Sequence, residues 1–240
     1  MIKNIFLDAG YTLAYPRAIS WWFPVDFFGM CDRETFRAVE KTEEYQAAFK
    51  KGYKYLDDNH LLKSEDEEYA VLREFFRILL LPFPSLGFDE EKIKKVAERW
   101  VFDYARLALY ADVIPMLEKW KAEGYKIGLI SDTWPSMVNY FKHYGIYGFF
   151  DVFVMSCDHG IWKPHEIMYL SALTPLNAKG AESVFVDDFD DNLEGAVRHG
   201  IHPIKIARAD NDYSWRLNKG GADYPTFENL GEVDAYIRTL

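Results

Sequence analysis

Two rhythms of hydrophobic and polar residues divide this chain. Ile5-Phe6-Leu7, Lys126-Ile127-Gly128-Leu129-Ile130, Val152-Phe153-Val154-Met155, Ser183-Val184-Phe185-Val186 and Pro203-Ile204-Lys205-Ile206 are short, mostly apolar runs. Such runs suit strands buried on both faces. Segments with helical spacing lie between them. Asp112 to Glu123 turns Met116, Leu117 and Trp120 inward and stops at Gly124. Pro135 to Tyr144 stops at Gly145, Glu166 to Leu173 follows, and Asn192 to His199 stops at Gly200. Strand and helix in alternation predict a parallel sheet with helices on both faces, and Pro203–Ile206 as its last strand.

From 15 to 107 the rhythm is helical throughout, with no strand-like alternation. Asp32 to Leu56 reads as one helix with Asp32 as N-cap. Ser64-Glu65-Asp66-Glu67 has the form of a capping box, opening a helix that runs towards Leu81. Pro82 and Pro84 stop it. Asp89-Glu90-Glu91 opens a third helix, with Ile93, Val96, Ala97, Trp100, Val101 and Tyr104 at helical spacing. The predicted fold is therefore α/β, a doubly wound parallel sheet with an inserted α-helical domain. Residues 1–14 and 108–240 form the core domain, and 15–107 the insert.

Composition narrows the possible partners. Hydrophobic residues make up 49% of 240, enough to fill the core of such a fold. The net charge of −10 argues against nucleic acid or an anionic membrane surface, since both require a basic face. A small phosphorylated ligand needs only a local positive site. Cys31 and Cys157 have no CxxC spacing, which predicts two free thiols and no zinc site. The start lacks a basic segment followed by a long apolar one, and Ile78–Leu81 is too short to span a bilayer. The expectation is a cytoplasmic protein that does not engage a membrane. Its oligomeric state is not legible.

The chemistry gathers after the strands. A parallel sheet places its ligands outside the carboxyl ends of its strands. Asp8 follows the first run, Ser131 and Asp132 the second, Asp187 and Asp188 a later one, and Lys163 lies in the loop Gly160–Pro164. This set fits metal-assisted phosphoryl transfer. Asp8 attacks phosphorus and forms an acyl phosphate. Asp8, Asp188 and, through water, Asp187 supply hard oxygens for Mg²⁺. Lys163 and Ser131 hold the remaining phosphate oxygens, and Asn192 orients Lys163 or an acidic ligand. Asp132 either bonds substrate or caps a turn. Asp190 and Asp191 read as solvent-facing, as do His159 and His165. Trp21-Trp22-Phe23 and Phe27-Phe28 read as the core of the insert, with a pocket lining as the alternative.

In order and spacing these segments resemble the four motifs of the haloacid dehalogenase-like (HAD) superfamily. Leu7-Asp8-Ala9-Gly10-Tyr11-Thr12-Leu13 resembles the first, Leu129–Thr133 the second, Gly160–Pro164 the third, and Val184–Asp188 with Asn192 the fourth. The helical insert resembles the type 1 cap, which closes over the site and selects substrates. The resemblance implies a Rossmann-like core. It makes Asp8 the nucleophile and a metal ligand, with Gly10 offering its backbone carbonyl to the metal. Thr12 and Ser131 serve the phosphate and loop geometry, Lys163 neutralises charge, and Asp188 ligates Mg²⁺ with Asp187 close by. The implied substrate is a small phosphorylated metabolite.

One position departs from that pattern. The superfamily's phosphatases usually carry a second Asp where this chain has Gly10, as the acid that protonates the leaving alcohol. Losing such a group costs about 10²–10⁴-fold in rate. Three readings follow: a phosphatase with good leaving groups or an acid borrowed from the cap, a dehalogenase or phosphonatase, and a weak hydrolase or non-catalytic binder of phosphorylated ligands or of a partner. Arg33 and Arg37 in the insert suit a carboxylate substrate, as a dehalogenase needs. Lys41, Lys50, Lys51, Lys54 and Lys63 are positional candidates for a phosphonatase lysine.

Overall fold

The computed structural model describes residues 1–18, 20–208 and 223–240. They divide into two compact units: Met1–Tyr15, Leu109–Thr133 and Phe141–Leu240 in one, Pro16–Ala108 and Trp134–Tyr140 in the other.

The first unit is built on a six-stranded parallel sheet. In chain order its strands are β1 (Asn4–Leu7), β4 (Lys126–Ser131), β5 (Val152–Met155), β6 (Ser183–Asp187), β7 (His202–Ile206) and β8 (Thr226–Phe227), arranged 5-4-1-6-7-8. β1 is central, with Leu7 paired to Leu129 on one side and Val186 on the other. All four residues of β1 are buried, as the unbroken apolar run requires. Helices α5 (Val113–Ala122), α8 (Glu166–Leu173), α9 (Asp190–Val197) and α10 (Leu230–Ile237) belong to this unit, together with a short helix, α7 (Ser156–His159). Met168, Tyr169 and Ala172 of α8 and Leu193 and Ala196 of α9 pack with Phe6, Ile130, Val154 and Phe185.

Three sequence expectations need correction here. Pro203–Ile206 is not the last strand, because Thr226–Phe227 adds β8 beside β7. Two residues give almost no periodicity to read. Asp187 closes β6 rather than following it, and pairs in register with Lys205. Asp190 is not solvent-facing. It starts α9 and makes a 2.6 Å ion pair with Lys205, both side chains being largely buried.

The second unit is helical: α1 (Arg33–Val39), α2 (Glu43–Asp58), α3 (Glu65–Leu80) and α4 (Glu90–Phe102). Asp32, Ser64 and Asp89 cap α1, α3 and α4, each accepting the N–H three residues on. The single helix expected over Asp32–Leu56 is two helices. Thr42 is extended and its hydroxyl accepts from the Tyr45 N–H, so it caps a new start. Phe23 and Phe27 stack with centroids 4.1 Å apart inside this unit's core, and Trp22 and Phe28 pack against it. Trp134 packs on the same core, although it lies beyond the expected insert. Strands β2 (Ala14–Pro16) and β3 (Leu107–Leu109) form a separate two-stranded sheet. They fall at the two ends of the stretch expected to be helical throughout. α6 (Ser136–His143) has residues in both units.

Candidate active site

Every residue singled out for chemistry except those of the helical insert lies in the α/β unit, and several converge at the carboxyl ends of its strands. The Asp8 N–H still bonds the Val186 carbonyl at 3.0 Å, which continues the sheet for one residue beyond β1. The chain then turns sharply. Leu13 and Ala14 N–H groups both donate to the Ala9 carbonyl, and Tyr11 N–H donates to Ala14 O at 2.6 Å. Gly10 bridges to Ala14 within this turn. Tyr11 sits at φ 57°, in the left-handed region that favours glycine. Glycine and left-handed residue are thus neighbours here, not the same residue.

Arg208 holds the turn from beneath. Its guanidinium donates to the Thr12 carbonyl from Nη2 at 2.6 Å and Nε at 3.2 Å, and to Asp112 Oδ2 at 2.7 Å. Sequence reasoning missed Arg208 and Lys205. Their only signal was a cation at or just after the end of an apolar strand. Thr12 itself is fully buried, and its Oγ1 has no hydrogen-bond partner among the described residues. A buried hydroxyl without a partner is costly, and a ligand oxygen would satisfy it.

Ser131 is buried as the last residue of β4, paired with Met155. Asp132 follows it, and its Oδ1 accepts the Lys163 N–H at 2.8 Å. The other end of Lys163 is the centre of the site. Its ammonium donates to Asp8 Oδ1 at 2.7 Å, Asp187 Oδ2 at 2.6 Å and Ile130 O at 3.2 Å. Burial alone would lower the Lys163 pKa. Asp187 and Asp8 overcome that and hold it well above the usual lysine value, so the group is charged.

Asp187 is fully buried and accepts from the Phe189 N–H at 2.8 Å. Asn192 Nδ2 donates to both its oxygens, at 3.0 and 3.2 Å. Asn192 therefore orients the acid, not the lysine. Burial pushes the Asp187 carboxyl up to about 6 even beside Lys163. Asp188 is buried too, and Asp8, Asp187 and Asp188 each offer an oxygen within 4.8 Å of the others. Three carboxylates thus gather in a buried place, with the Lys163 ammonium on two of them. Hard oxygen donors gathered in this way fit a divalent cation such as Mg²⁺. His159 and His165 are exposed, and His165 caps α8. Cys31 and Cys157 are buried and not joined in a disulfide.

Comparison with known proteins agrees with this architecture. A family model described as a haloacid dehalogenase-like hydrolase matches residues 28–200. A protein of Methanopyrus kandleri called glyceraldehyde 3-phosphate phosphatase is 30% identical over 69% of this chain and 76% of its own length. Among solved structures, an L-2-haloacid dehalogenase from Xanthobacter autotrophicus is similar over the whole of both chains, with a TM-score of 0.61 at 22% identity. A HAD phosphatase from Thermococcus onnurineus covers 98% of each chain, with a TM-score of 0.58 at 20% identity. At such identities the two structures speak for the fold, which hosts both chemistries. By sequence match and by fold, this chain belongs to the haloacid dehalogenase-like hydrolases.

Proposed function

We propose that this hydrolase is a Mg²⁺-dependent phosphatase acting on a small phosphorylated metabolite in the cytoplasm, through an aspartyl-phosphate at Asp8. The observation that carries the reading is Lys163 held between Asp8 and Asp187, with Asp188 in the same buried group. A phosphate dianion approaching a carboxylate nucleophile meets repulsion that only nearby positive charge removes. Lys163 supplies one such charge. Asp8, Asp188, the Gly10 carbonyl and, through water, Asp187 would hold the cation, which when bound screens the phosphate oxygens from the carboxylates.

The chain's own residues then divide the work. An Asp8 oxygen attacks phosphorus in line with the departing alcohol. Lys163 leaves its present carboxylate partners in part and donates to a phosphate oxygen. The Ser131 hydroxyl and Thr12 hold the phosphate and its loop. Asn192 and the Phe189 N–H keep Asp187 from turning towards the nucleophile. The cluster disfavours the dehalogenase alternative, because a haloacid carboxylate would meet three buried carboxylates.

The Methanopyrus relative makes a three-carbon phosphate ester the first substrate to assay. The test is turnover of 4-nitrophenyl phosphate and of that ester, with Mg²⁺ and after chelation. Chelation and Asp8→Asn should each abolish turnover. Activity that survives both removes the reading.

A further inference from the structure

The chain lacks a carboxyl group at position 10, yet a phosphatase acting on an alcohol ester needs a proton donor for the departing oxygen. The carboxyl groups around Asp8 differ in what is left for them to do. Both Asp187 oxygens are engaged, by Lys163, Asn192 and the Phe189 N–H. Asp188 is buried with Asp8 and Asp187 in the cation-binding group. Asp190 is paired with Lys205, and Asp112 with Arg208. Asp132 is different. It is exposed, its Oδ1 is fixed by the Lys163 N–H at 2.8 Å, and its Oδ2 accepts no hydrogen bond among the described residues.

The tether matters. One lysine joins Asp132 to the nucleophile, its backbone N–H on Asp132 Oδ1 and its ammonium on Asp8 Oδ1 at 2.7 Å. Asp132 therefore stands no farther from Asp8 than one lysine and its two hydrogen bonds allow. It follows directly on Ser131, which ends β4 beside β1. A group that protonates a leaving oxygen must be fixed in direction, keep an oxygen free, and reach water to reload. Asp132 meets all three.

We infer that Asp132 is the general acid and base of this enzyme, taking the place of the carboxylate absent at Gly10, and that the substrates include esters of unactivated alcohols. The inference rests on the phosphatase reading above. In the first half-reaction the Asp8–phosphorus bond forms as the bond from phosphorus to the alcohol oxygen breaks, and Asp132 gives its proton to that oxygen. In the second, a water oxygen attacks phosphorus, the Asp132 carboxylate takes its proton, and the bond to Asp8 breaks. Inorganic phosphate leaves, with Asp132 protonated again. The protein around its carboxyl supports this role. Although the residue reaches solvent, burial pushes it up to about 7, with Lys163 pulling the other way and Asp8 and Asp187 adding like charge.

The experiment compares n-propyl phosphate, whose alcohol leaves poorly, with 4-nitrophenyl phosphate, whose phenolate needs little help. Asp132→Asn keeps an oxygen for the Lys163 N–H and removes the proton. Its kcat/KM on the propyl ester should fall about 10²–10⁴-fold, and on the aryl ester by no more than about tenfold. Equal losses on both esters, or no loss on either, overturn the inference and leave the phosphatase reading standing. Wild-type enzyme that hydrolyses neither ester with Mg²⁺ removes both. The unmodified enzyme gives a second measurement that does not depend on the variant folding. Its kcat/KM across alkyl esters should depend only weakly on the acidity of the leaving alcohol, and a steep dependence overturns the inference.

Discussion

The Lys163 ammonium lies 2.6 Å from Asp187 Oδ2, and both side chains are sealed from solvent. The same ammonium reaches Asp8 at 2.7 Å. Removing it takes away the ammonium that Asp8 and Asp187 share, beside the carboxylate of Asp188. Breaking one side of a buried pair costs about 3–5 kcal/mol. Lys163→Met should therefore lower stability by roughly that amount in the absence of divalent cation, read by urea unfolding. Catalysis should fall about 10²-fold or more, since the phosphate loses a fixed charged donor. Adding Mg²⁺ should raise the melting midpoint of the variant more than that of the wild type, because the cation takes over a charge the lysine had neutralised. Equal shifts in the two proteins remove the idea that lysine and cation share one group of carboxylates.

Much of this site was readable in the sequence because its parts lie where strand periodicity stops. Asp8, Ser131 and Asp187 each end or follow a run of buried residues, and a parallel sheet gathers those ends along one edge. Capping was equally legible at Asp32, Ser64 and Asp89, since a cap depends on residues only three apart. What escaped was set by contacts remote in sequence. Asp190 looked like part of a solvated acidic run, and Lys205, fifteen positions on by number, buries it in an ion pair. Arg208 reaches back to the Thr12 carbonyl. The break at Thr42 was hidden because the helical spacing continues on both sides of it, and only the backbone at Thr42 records the restart.

Tyr11 stands in the left-handed region at φ 57°, next to a glycine that does not occupy it. An L-residue with a Cβ costs about 1–2 kcal/mol there, and glycine pays none of it. Comparing Tyr11→Gly with Tyr11→Ala isolates this backbone term, because both variants lose the same ring. Elsewhere in a regular element alanine is the more stabilising of the two by about 0.5–1 kcal/mol. At position 11 the order should reverse, with Tyr11→Gly the more stable by about 1 kcal/mol in denaturant unfolding. If alanine is the more stable here, position 11 is not held left-handed.

Gly128 tests the packing of the central strands. A Cβ there would lie 2.6 Å from Phe6 Cδ1 and 2.7 Å from Val152 Cγ1. Gly128 is paired to Phe6 and Val152 across the sheet. Phe6 is itself fully buried and has little room to give. Gly128→Ala should destabilise by about 1–3 kcal/mol through overpacking, although glycine is the poorer strand residue. The paired variant Gly128→Ala with Phe6→Leu should recover part of the loss. The check is a double-mutant cycle, in which purely additive costs would show that the two side chains do not compete for the space.

In the helical unit Glu68 gives a pH dependence whose sign is fixed. Its carboxylate is buried and accepts from the Ser136 N–H and the Ser136 hydroxyl, each at 2.7 Å. Burial pushes its pKa from an ordinary 4.5 up to about 7, against the pull of the Ser136 hydrogen bonds and the Arg106 charge. Between those two values the folded protein holds a proton that the unfolded chain has lost. Stability from this group is thus fully present below about 4.5 and declines as pH rises through about 7. Glu68→Gln has no proton to lose. Its stability relative to wild type should therefore improve from pH 5 to pH 8 by up to roughly 3 kcal/mol, since each pH unit that separates the folded and unfolded values is worth about 1.4 kcal/mol. Comparing the two proteins at each pH cancels the titrations they share, Asp187 among them. A stability difference that stays flat from pH 5 to pH 8 would mean that Glu68 is ionised throughout the folded protein, with the Ser136 hydrogen bonds and Arg106 outweighing its burial.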